Sequence, residues 1–292
     1  MKITDILARR RPVISFEFFP PKTDEGMKNL EATIVSLKPL KPSFISITYG
    51  AGGSTRAKTV ELVTHVKRDI GLEAAAHLTC VGHSRAELRA ILAELSAKGV
   101  ENLIALRGDP PKGQTRFEPA PDGFRYASEL VRFIRSDFPF CIGVAGYPEK
   151  HIEAADMEAD LRHLKEKTDA GGDFVVTQLF FDVEVYRKFV ARLKAMGVDR
   201  PVIAGVMPIT DTEQIKRFTQ MCGATIPVDL LKRLDAAGDD KTRVIDIGIE
   251  HAARQCEELL RAGAPGIHFY TLNRSHATQE VFARLTAAGV LA

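Results

Sequence analysis

Eight short apolar runs alternate along the chain with stretches of helical periodicity, and this rhythm constrains the fold more than any other feature. The runs span residues 13–19, 44–48, 73–78, 103–107, 141–147, 174–179, 202–207 and 266–270. Their side chains alternate between two faces with the two-residue period of a β-strand. Eight strands, each followed by a helix, in a chain of 292 residues predict an α/β fold, a (β/α)₈ TIM barrel that forms a single domain over residues 1–292.

Signals for helix ends fall between the predicted strands. A glycine follows four of the helical stretches, where a left-handed residue commonly ends a helix: Gly71, Gly99, Gly171 and Gly197. Two pairs have the spacing of a capping box, which begins a helix: Ser84 with Glu87, and Thr210 with Glu213. These boundaries support the alternating order of strands and helices.

An open, doubly wound sheet would also alternate strands and helices. It should carry a glycine-rich phosphate turn after an early strand, and the chain has no GxGxxG motif. The nearest candidate is the glycine-rich turn at residues 50–54, which also lacks the Lys-Ser/Thr of a P-loop. That turn is either a weak phosphate site or a βα turn that caps the next helix through Ser54 or Thr55.

The charge balance limits the possible partners. The chain has 40 basic and 38 acidic residues, a formal net charge of +2, so we expect no broad surface for nucleic acid or for a membrane. The run Arg9-Arg10-Arg11 is interpreted as the solvated end of a short N-terminal helix. No signal-peptide pattern and no apolar stretch of about 20 residues, the length of a membrane span, is present. We therefore predict a cytoplasmic protein.

Cysteine and histidine spacing argues against a metal site. The four cysteines, Cys80, Cys141, Cys222 and Cys256, form no CxxC pair and are predicted to be reduced core thiols. A metal-dependent barrel hydrolase typically has an HxH pair on one strand, and the chain contains none. No metal is expected.

Polar residues stand at the carboxyl ends of six predicted strands, where the active site of such a barrel lies: Glu17, Thr48, His77, Arg107, Tyr147 and Gln178. Glu17 ends an apolar strand that Pro20 and Pro21 stop. Burial among phenylalanines disfavours the ionised form, and a glutamate that is protonated near neutral pH can act as a general acid. The alternative is a Glu17 neutralised by a nearby Arg or Lys.

Two segments exceed a minimal barrel. Residues 109–123 form a proline- and glycine-rich loop on the side of the expected site and could cover a ligand. Residues 210–263, between the seventh and eighth strands, hold room for two or three helices. These extra helices would shape a substrate wall or an oligomer contact.

Seven motifs at the predicted strand ends together resemble methylenetetrahydrofolate reductase. They are SFEFFPPKT (15–23), TYGAGG (48–53), HLTC (77–80), LRGD (106–109), YPEKH (147–151), TQLFFD (177–182) and FYTLNR (269–274). Each motif alone is weak, but their order matches that of the family. The chain is similar to the bacterial single-domain form, without the regulatory domain of the animal enzymes.

The resemblance implies a flavoprotein oxidoreductase of one-carbon metabolism and methionine biosynthesis. It would bind FAD without a Rossmann motif, reduce it with NADH or NADPH, and then reduce 5,10-methylenetetrahydrofolate to 5-methyltetrahydrofolate in a ping-pong cycle. A homo-oligomer is expected. A non-catalytic barrel would keep the core but would have no reason to retain Glu17, Asp109 and Gln178 together.

The resemblance also assigns roles to residues. Glu17 would be the general acid for N10 of the folate, which must be protonated for the ring to open, and Asp109 would lie beside flavin and pterin. Gln178, Tyr270 and Arg274 would bind the folate, Arg274 through its glutamate carboxylates. The FAD contacts would be Thr48, His77, Arg107, Gly108, Asp109, Tyr126, Ala127, Tyr147, His151, Asp160, His163 and Lys167.

Without the resemblance, these residues have ordinary structural interpretations. Asp109 would pair with Arg107 or cap the following turn, His77 would be a core histidine, Gln178 a buried amide, and Lys167 part of a solvated helix face.

The chain departs from the family pattern at three positions. His163 and Glu166 stand where the enterobacterial form has Asn and Arg, so Glu166 is not assigned to a phosphate. Thr212 replaces an aromatic residue that packs on the nicotinamide and folate side, which leaves the electron donor open.

Overall fold

The computed structural model describes residues 1–9, 12–50, 56–110 and 117–291. Within these ranges the strands are β1 (Val13–Phe18), β2 (Phe44–Ile47), β3 (Ala74–Thr79), β4 (Asn102–Leu106), β5 (Cys141–Gly146), β6 (Phe174–Thr177), β7 (Val202–Val206) and β8 (Gly266–Tyr270). The helices are α1 (Ile3–Arg9), α2 (Asp24–Leu37), α3 (Arg56–His65), α4 (Arg85–Ala97), α5 (Ala127–Asp137), α6 (Met157–Asp169), α7 (Val183–Ala195), α8 (Thr212–Cys222), α9 (Val228–Ala237), α10 (Lys241–Arg261) and α11 (His276–Ala287).

The strands of the described chain close into an eight-stranded parallel barrel. Each strand pairs with its neighbour in sequence, and β1 pairs with β8 to complete the circle. The predicted TIM barrel is confirmed, and the open-sheet alternative is wrong. Predicted and observed strand bounds agree within one or two residues, and β8 agrees at both ends.

The two faces of each strand serve different cores, as the alternation predicts. Val13 and Phe44 lie in a cluster inside the barrel together with Ile3 and Leu7 of α1. Phe16, which is fully buried, packs outward in the larger core between strands and helices. Because α1 closes the amino-terminal end of the barrel interior, the carboxyl end is the side that stays open to a ligand.

Most of the predicted helix ends are observed. Gly71, Gly99, Gly171 and Gly197 all have positive φ angles, and Ser84 and Glu87 form a reciprocal capping box. The capping box predicted for Thr210 and Glu213 is wrong, because Asp211 is the N-cap of α8 and its carboxylate accepts the Gln214 N–H. A carboxylate one residue later in the chain takes over the role of the threonine hydroxyl. The caps proposed for Ser54 and Thr55 lie outside the described residues.

The described segment between β7 and β8 contains three helices, α8, α9 and α10, in agreement with the prediction. They form a small core with the segments that follow β6 and β7. Gly248 of α10 lets that helix pack closely, since a Cβ there would lie 1.9 Å from the Ile209 carbonyl oxygen. Buried Gln255 donates to the Phe180 carbonyl at 2.7 Å, and His251 Nε2 lies 3.0 Å from that of Phe181. The segment after β6 is therefore fixed by α10.

The four cysteines are free thiols. Cys80, Cys141 and Cys256 are buried, as predicted for core thiols, whereas Cys222 is half-buried at the end of α8. Burial raises the pKa of the Cys141 thiol to about 11.

Over the described ranges, no helix combines the length and the apolar character needed to cross a membrane.

Candidate active site

Two adjoining cavities open at the carboxyl end of the barrel. The first, of about 730 Å³, lies above β4, β5 and α6. The second, of about 520 Å³, lies over the centre of the barrel. Arg107, Tyr147 and His151 line both cavities, so the two form one elongated site with a shared wall.

The structure brings together almost all of the residues that the sequence singled out. The first cavity is lined by Arg107, Tyr126, Ala127, Tyr147, His151, Asp160, His163 and Lys167. The second is lined by Glu17, Thr48, His77, Arg107, Gly108, Asp109, Tyr147, His151, Gln178 and Tyr270. Arg274 is exposed and lines neither cavity.

Glu17 lies at the end of β1 between two histidines. Its Oε2 is 3.3 Å from Nε2 of His77 and 3.3 Å from Nε2 of His268, and Ser46 Oγ lies 3.5 Å away. The side chain keeps 19% of its surface exposed. One carboxylate oxygen of Glu17 is thus held by side chains of neighbouring strands, and the residue still lines the second cavity.

These contacts decide the charge of Glu17. Burial raises its pKa, but the hydrogen bonds and charges of His268 and His77 outweigh burial and lower the pKa to about 2. The prediction of a Glu17 that is protonated near neutral pH is therefore wrong for the ligand-free protein. The alternative partner, Arg or Lys, is also wrong, because the observed partners are imidazoles.

His268 is a part of this site that the sequence motifs did not indicate. It is fully buried in β8, at the register position of Ser15 in β1. Its Nδ1 lies 2.7 Å from Ser15 Oγ, and its ring stacks on Phe44 with centroids 6.1 Å apart. The available signal was its place in β8, two residues before Tyr270 and on the same strand face.

Arg107 follows β4 and forms a two-point ion pair with Glu153, at 2.5 and 2.8 Å. This pairing raises the pKa of Arg107. The ion pair that was the alternative for Asp109 is not formed, and Asp109 instead lines the second cavity. Between them, Gly108 has a φ of +88°, and a Cβ there would lie 2.5 Å from Val81. Glycine is thus required where the chain turns between these two charged residues.

Lys167 of α6 is directed into the first cavity and is not part of a solvated helix face. Its Nζ donates to the Ala145 carbonyl oxygen at 2.6 Å and lies 5.7 Å from the centre of the Tyr147 ring. Burial lowers the pKa of Lys167 to about 8, because the charged amine loses water. The Asp160 carboxylate, which also lines this cavity, accepts a hydrogen bond from the backbone N–H of His151 at 3.2 Å.

The first cavity fits the phosphates of a dinucleotide. It contains the Lys167 amine, which lacks a carboxylate hydrogen-bond partner among the described contacts, and the Arg107 guanidinium. Cations partly removed from water stabilise a bound diphosphate strongly. Tyr126 stacks with His163, with ring centroids 6.4 Å apart, and offers a flat surface at the cavity edge. Glu166 also lines the cavity, and its exclusion from the phosphate contacts stays a prediction.

Tyr270 reaches across the barrel end because Gly205 of β7 makes room for it. A Cβ on Gly205 would lie 2.3 Å from the Thr177 carbonyl oxygen and 2.7 Å from the Tyr270 ring. The Tyr270 hydroxyl donates to that same carbonyl at 2.6 Å. Burial raises the pKa of Tyr270. Beside it, Gln178 Oε1 accepts the Leu179 N–H at 2.8 Å.

An apolar wall closes the second cavity on the side of α8. Phe218, Met221 and Cys222 line it. That the extra helices form a wall for a substrate, or an oligomer contact, stays a prediction. Thr212 lines neither cavity, and its interpretation as the replacement of an aromatic residue of the family stays a prediction. Phe218, six residues later on another face of the helix, supplies an aromatic ring on this side.

The extended loop contributes to the first cavity. Phe117 lines it, and the Arg107 guanidinium lies 5.1 Å from the centre of its ring. Residues 111–116 of this loop and residues 51–55 of the glycine-rich turn lie outside the described residues. Among those described, no group of three or more His, Cys, Asp and Glu side chains has the arrangement of a metal site.

Known proteins of one family are similar to this chain over most of its length. Residues 2–286 match the family model described as Methylenetetrahydrofolate reductase. The Escherichia coli (strain K12) protein named 5,10-methylenetetrahydrofolate reductase is 40% identical over 269 residues, which cover 92% of this chain and 88% of that protein. An Arabidopsis thaliana protein named Methylenetetrahydrofolate reductase (NADH) 1 is 38% identical over 283 residues, 93% of this chain and 48% of the plant protein. The chain thus spans about half the length of the plant relative.

Among solved structures, a Clostridium thermocellum protein described as binding two copies of 5-methyl-5,6,7,8-tetrahydrofolic acid superposes with a TM-score of 0.64. The match covers 98% of each chain at 17% sequence identity. At that identity the likeness supports the barrel fold alone.

Proposed function

Because the chain belongs to the methylenetetrahydrofolate reductase family, we propose that it reduces 5,10-methylenetetrahydrofolate to 5-methyltetrahydrofolate with FAD as cofactor and NADH or NADPH as electron donor. The name of the plant relative specifies NADH, which makes NADH the first donor to test. Action of residues 1–292 as one catalytic domain, oligomeric assembly and a cytoplasmic location remain predictions from the resemblance.

The observation that carries the proposal is the pair of joined cavities. One contains half-buried cations suited to a diphosphate, and the other contains a carboxylate and a carboxamide suited to a pterin. A flavin dinucleotide and a folate are two ligands of these kinds that must meet during the reaction. The shared wall of Arg107, Tyr147 and His151 lies where they would adjoin.

In the first cavity, Lys167 and Arg107 would hold the FAD diphosphate. To bind the diphosphate, Arg107 would have to release Glu153, its partner in the ion pair. Tyr126, Ala127, Asp160 and His163 would contact the rest of the dinucleotide, and Thr48, His77, Gly108, Asp109, Tyr147 and His151 its flavin end. When bound, FAD would supply the hydride transfer that the protein's own side chains cannot perform.

In the second cavity, the side chains would bind the folate and manage its proton. At the pterin edge the Asp109 carboxylate can accept hydrogen bonds, and the Gln178 carboxamide can both accept and donate them. Tyr270 would pack beside them, and Phe218 gives an apolar face. Glu17, an ionised carboxylate in the geometry described above, would first take up a proton and then deliver it to N10, which opens the five-membered ring. Arg274, exposed outside the cavity, is proposed to meet the glutamate carboxylates of the folate.

The proposal is tested by the spectrum of the purified protein followed by stepwise anaerobic additions. Bound flavin should lose its absorbance with NADH or NADPH and regain it with 5,10-methylenetetrahydrofolate. Glu17→Gln should keep flavin binding and flavin reduction and slow the folate step by about 100-fold or more. Glu184→Gln, an exposed glutamate of α7 paired with Arg187, is the matched control and should behave as the wild type.

Two results would contradict the proposal. One is a protein that cannot be loaded with FAD. The other is a flavin that, once reduced, is not reoxidised by the folate in the wild type. If Glu17→Gln and the wild type reduce the folate equally fast, the activity stands but Glu17 is not its acid.

A further inference from the structure

A side-chain hydrogen bond links the loop after β5 (residues 147–156) to the turn that follows α8 (residues 223–227). The two carboxylate oxygens of Glu149 lie 2.9 and 3.2 Å from the backbone nitrogen of Thr225 and accept its N–H. A hydrogen bond to a charged acceptor is stronger than one between neutral groups. Among the described residues, no other hydrogen bond joins this turn to a part of the chain outside α8 and α9. Glu149 therefore ties the carboxyl end of α8 to the rim of the barrel.

The loop after β5 is a firm support for this bond. Lys150 has a φ of +80°, which is uncommon for a residue with a side chain and persists where the surroundings hold it. Its amine donates to the Ala154 carbonyl oxygen at 2.6 Å within the same loop. The backbone of the loop also lies close to that of the turn, since a Cβ on Gly223, the C-cap of α8, would lie 3.5 Å from the Lys150 carbonyl oxygen.

The two linked segments carry different parts of the candidate site, although Glu149 itself lines neither cavity. The loop after β5 contributes Tyr147 and His151 to both cavities, whereas α8 contributes the apolar wall to the second cavity alone. Met221 of that wall is 68% exposed, so the packing of its own side chain does little to fix this end of the helix. The position of the wall therefore depends on the bond between Glu149 and Thr225.

We propose that Glu149 is a positioning residue that holds the apolar wall of the second cavity in place for the folate. The proposal rests on the proposed function and deepens it. The first cavity has supports of its own, because the Asp160 carboxylate accepts the His151 N–H and Glu153 pairs with Arg107. Loss of the Glu149 carboxylate should therefore loosen the wall of α8 and leave the dinucleotide cavity intact.

The kinetic test compares Glu149→Ala with the wild type and with two controls. Glu149→Gln keeps one acceptor oxygen, and Thr225→Ala keeps the N–H while it shortens an exposed side chain. Glu149→Ala should raise KM for 5,10-methylenetetrahydrofolate by about tenfold and change kcat by less than about twofold, because the wall contacts substrate and transition state alike. Glu149→Gln should stay within about threefold of the wild type, and Thr225→Ala should match it. FAD affinity should be the same in all four proteins.

A second readout needs neither flavin nor folate. In hydrogen exchange of the flavin-free protein, the amides of Thr225 and of the last turn of α8 should exchange about tenfold faster in Glu149→Ala. The amides of α4 should keep their wild-type rates. Thr225→Pro removes the donated N–H itself and should reproduce the rise in KM, so this variant takes the place of Glu149→Ala if the latter does not fold.

An unchanged KM in Glu149→Ala would overturn the proposal, as would unchanged exchange at the end of α8. A loss of FAD affinity that accompanies the rise in KM would also overturn it, since Glu149 would then act through the loop after β5. Failure of the proposed function looks different, because the wild type itself would then not reduce the folate.

Discussion

Replacing Lys167 with methionine should make the flavin-free protein more stable at neutral pH. The fall of the Lys167 pKa from 10.5 to about 8 corresponds to about 3 kcal/mol, at about 1.4 kcal/mol for each tenfold change in proton affinity. That free energy opposes folding whenever the amine must be charged in the cavity. Because the side chain is only half-buried, cavity water reduces the penalty to about 2 kcal/mol.

Methionine fills a similar volume and removes the charge, but it also loses favourable contacts. The hydrogen bond to the Ala145 carbonyl and the contact with the Tyr147 ring together stabilise the protein by about 1 kcal/mol. The net expectation at pH 7 is therefore that Lys167→Met raises the free energy of unfolding by about 1 kcal/mol. FAD affinity should fall at the same time by about tenfold or more, because the diphosphate loses a cation.

The stability gained from Lys167→Met should decrease as the pH rises. The folded pKa is below the unfolded one, so the unfolded chain binds more protons between pH 8 and 10.5, and wild-type stability rises with pH across that window. Below pH 8 the penalty is fully present, and near pH 10.5 it is gone. The advantage of the variant should therefore disappear or reverse by about pH 10.

The assay is urea unfolding of flavin-stripped protein at pH 7 and at about pH 10. Lys165→Met is the matched control on the same helix. Lys165 is 38% exposed and pairs with Asp169 at 2.7 Å, so at pH 7 this variant should lose a surface ion pair and be slightly less stable than the wild type. A Lys167→Met protein that is less stable than the wild type at pH 7, or whose difference from the wild type is the same at both pH values, would refute the reasoning.

Two further predictions concern the geometry of the site. Gly205→Ala places a Cβ 2.3 Å from the Thr177 carbonyl oxygen and 2.7 Å from the Tyr270 ring, so it should lower the free energy of unfolding by about 1–3 kcal/mol and raise KM for the folate. Thermal denaturation and steady-state kinetics check this, and a variant with wild-type values for both would contradict it. Glu153→Gln frees the Arg107 guanidinium from a half-exposed ion pair and should tighten FAD binding by about fivefold, measured by flavin fluorescence. Weaker binding would mean that Glu153 orients Arg107 and does not compete with the phosphates.

The sequence predicted the fold well because the two-residue alternation within each strand distinguishes the two faces of that strand. The alternation in residues 13–19 puts Val13 and Phe16 on opposite faces of the strand, and the structure places Val13 in the barrel interior and Phe16 on the helix side. The positions of Glu17 and Gln178 in the second cavity follow from strand order alone, because parallel strands end at the same rim.

The environment of Glu17 could not be predicted in the same way. His268 is 251 residues away in sequence and meets Glu17 only through the register between β1 and β8. A burial argument from neighbouring phenylalanines therefore gave the wrong direction for the pKa. Phe218 was not singled out either, because its place at the second cavity depends on the phase of α8, which no motif in the sequence indicates.

The three helices after β7 have a consequence for any attempt to shorten this protein. They look like an accessory segment, since the barrel closes without them. Yet α10 holds the segment after β6 through Gln255 and His251, and α8 forms a wall of the second cavity. We expect a trimmed or chimeric version to keep its strands and lose this wall of the second cavity, so a minimal scaffold drawn from this chain has to retain α8, α9 and α10 as well as the eight strands.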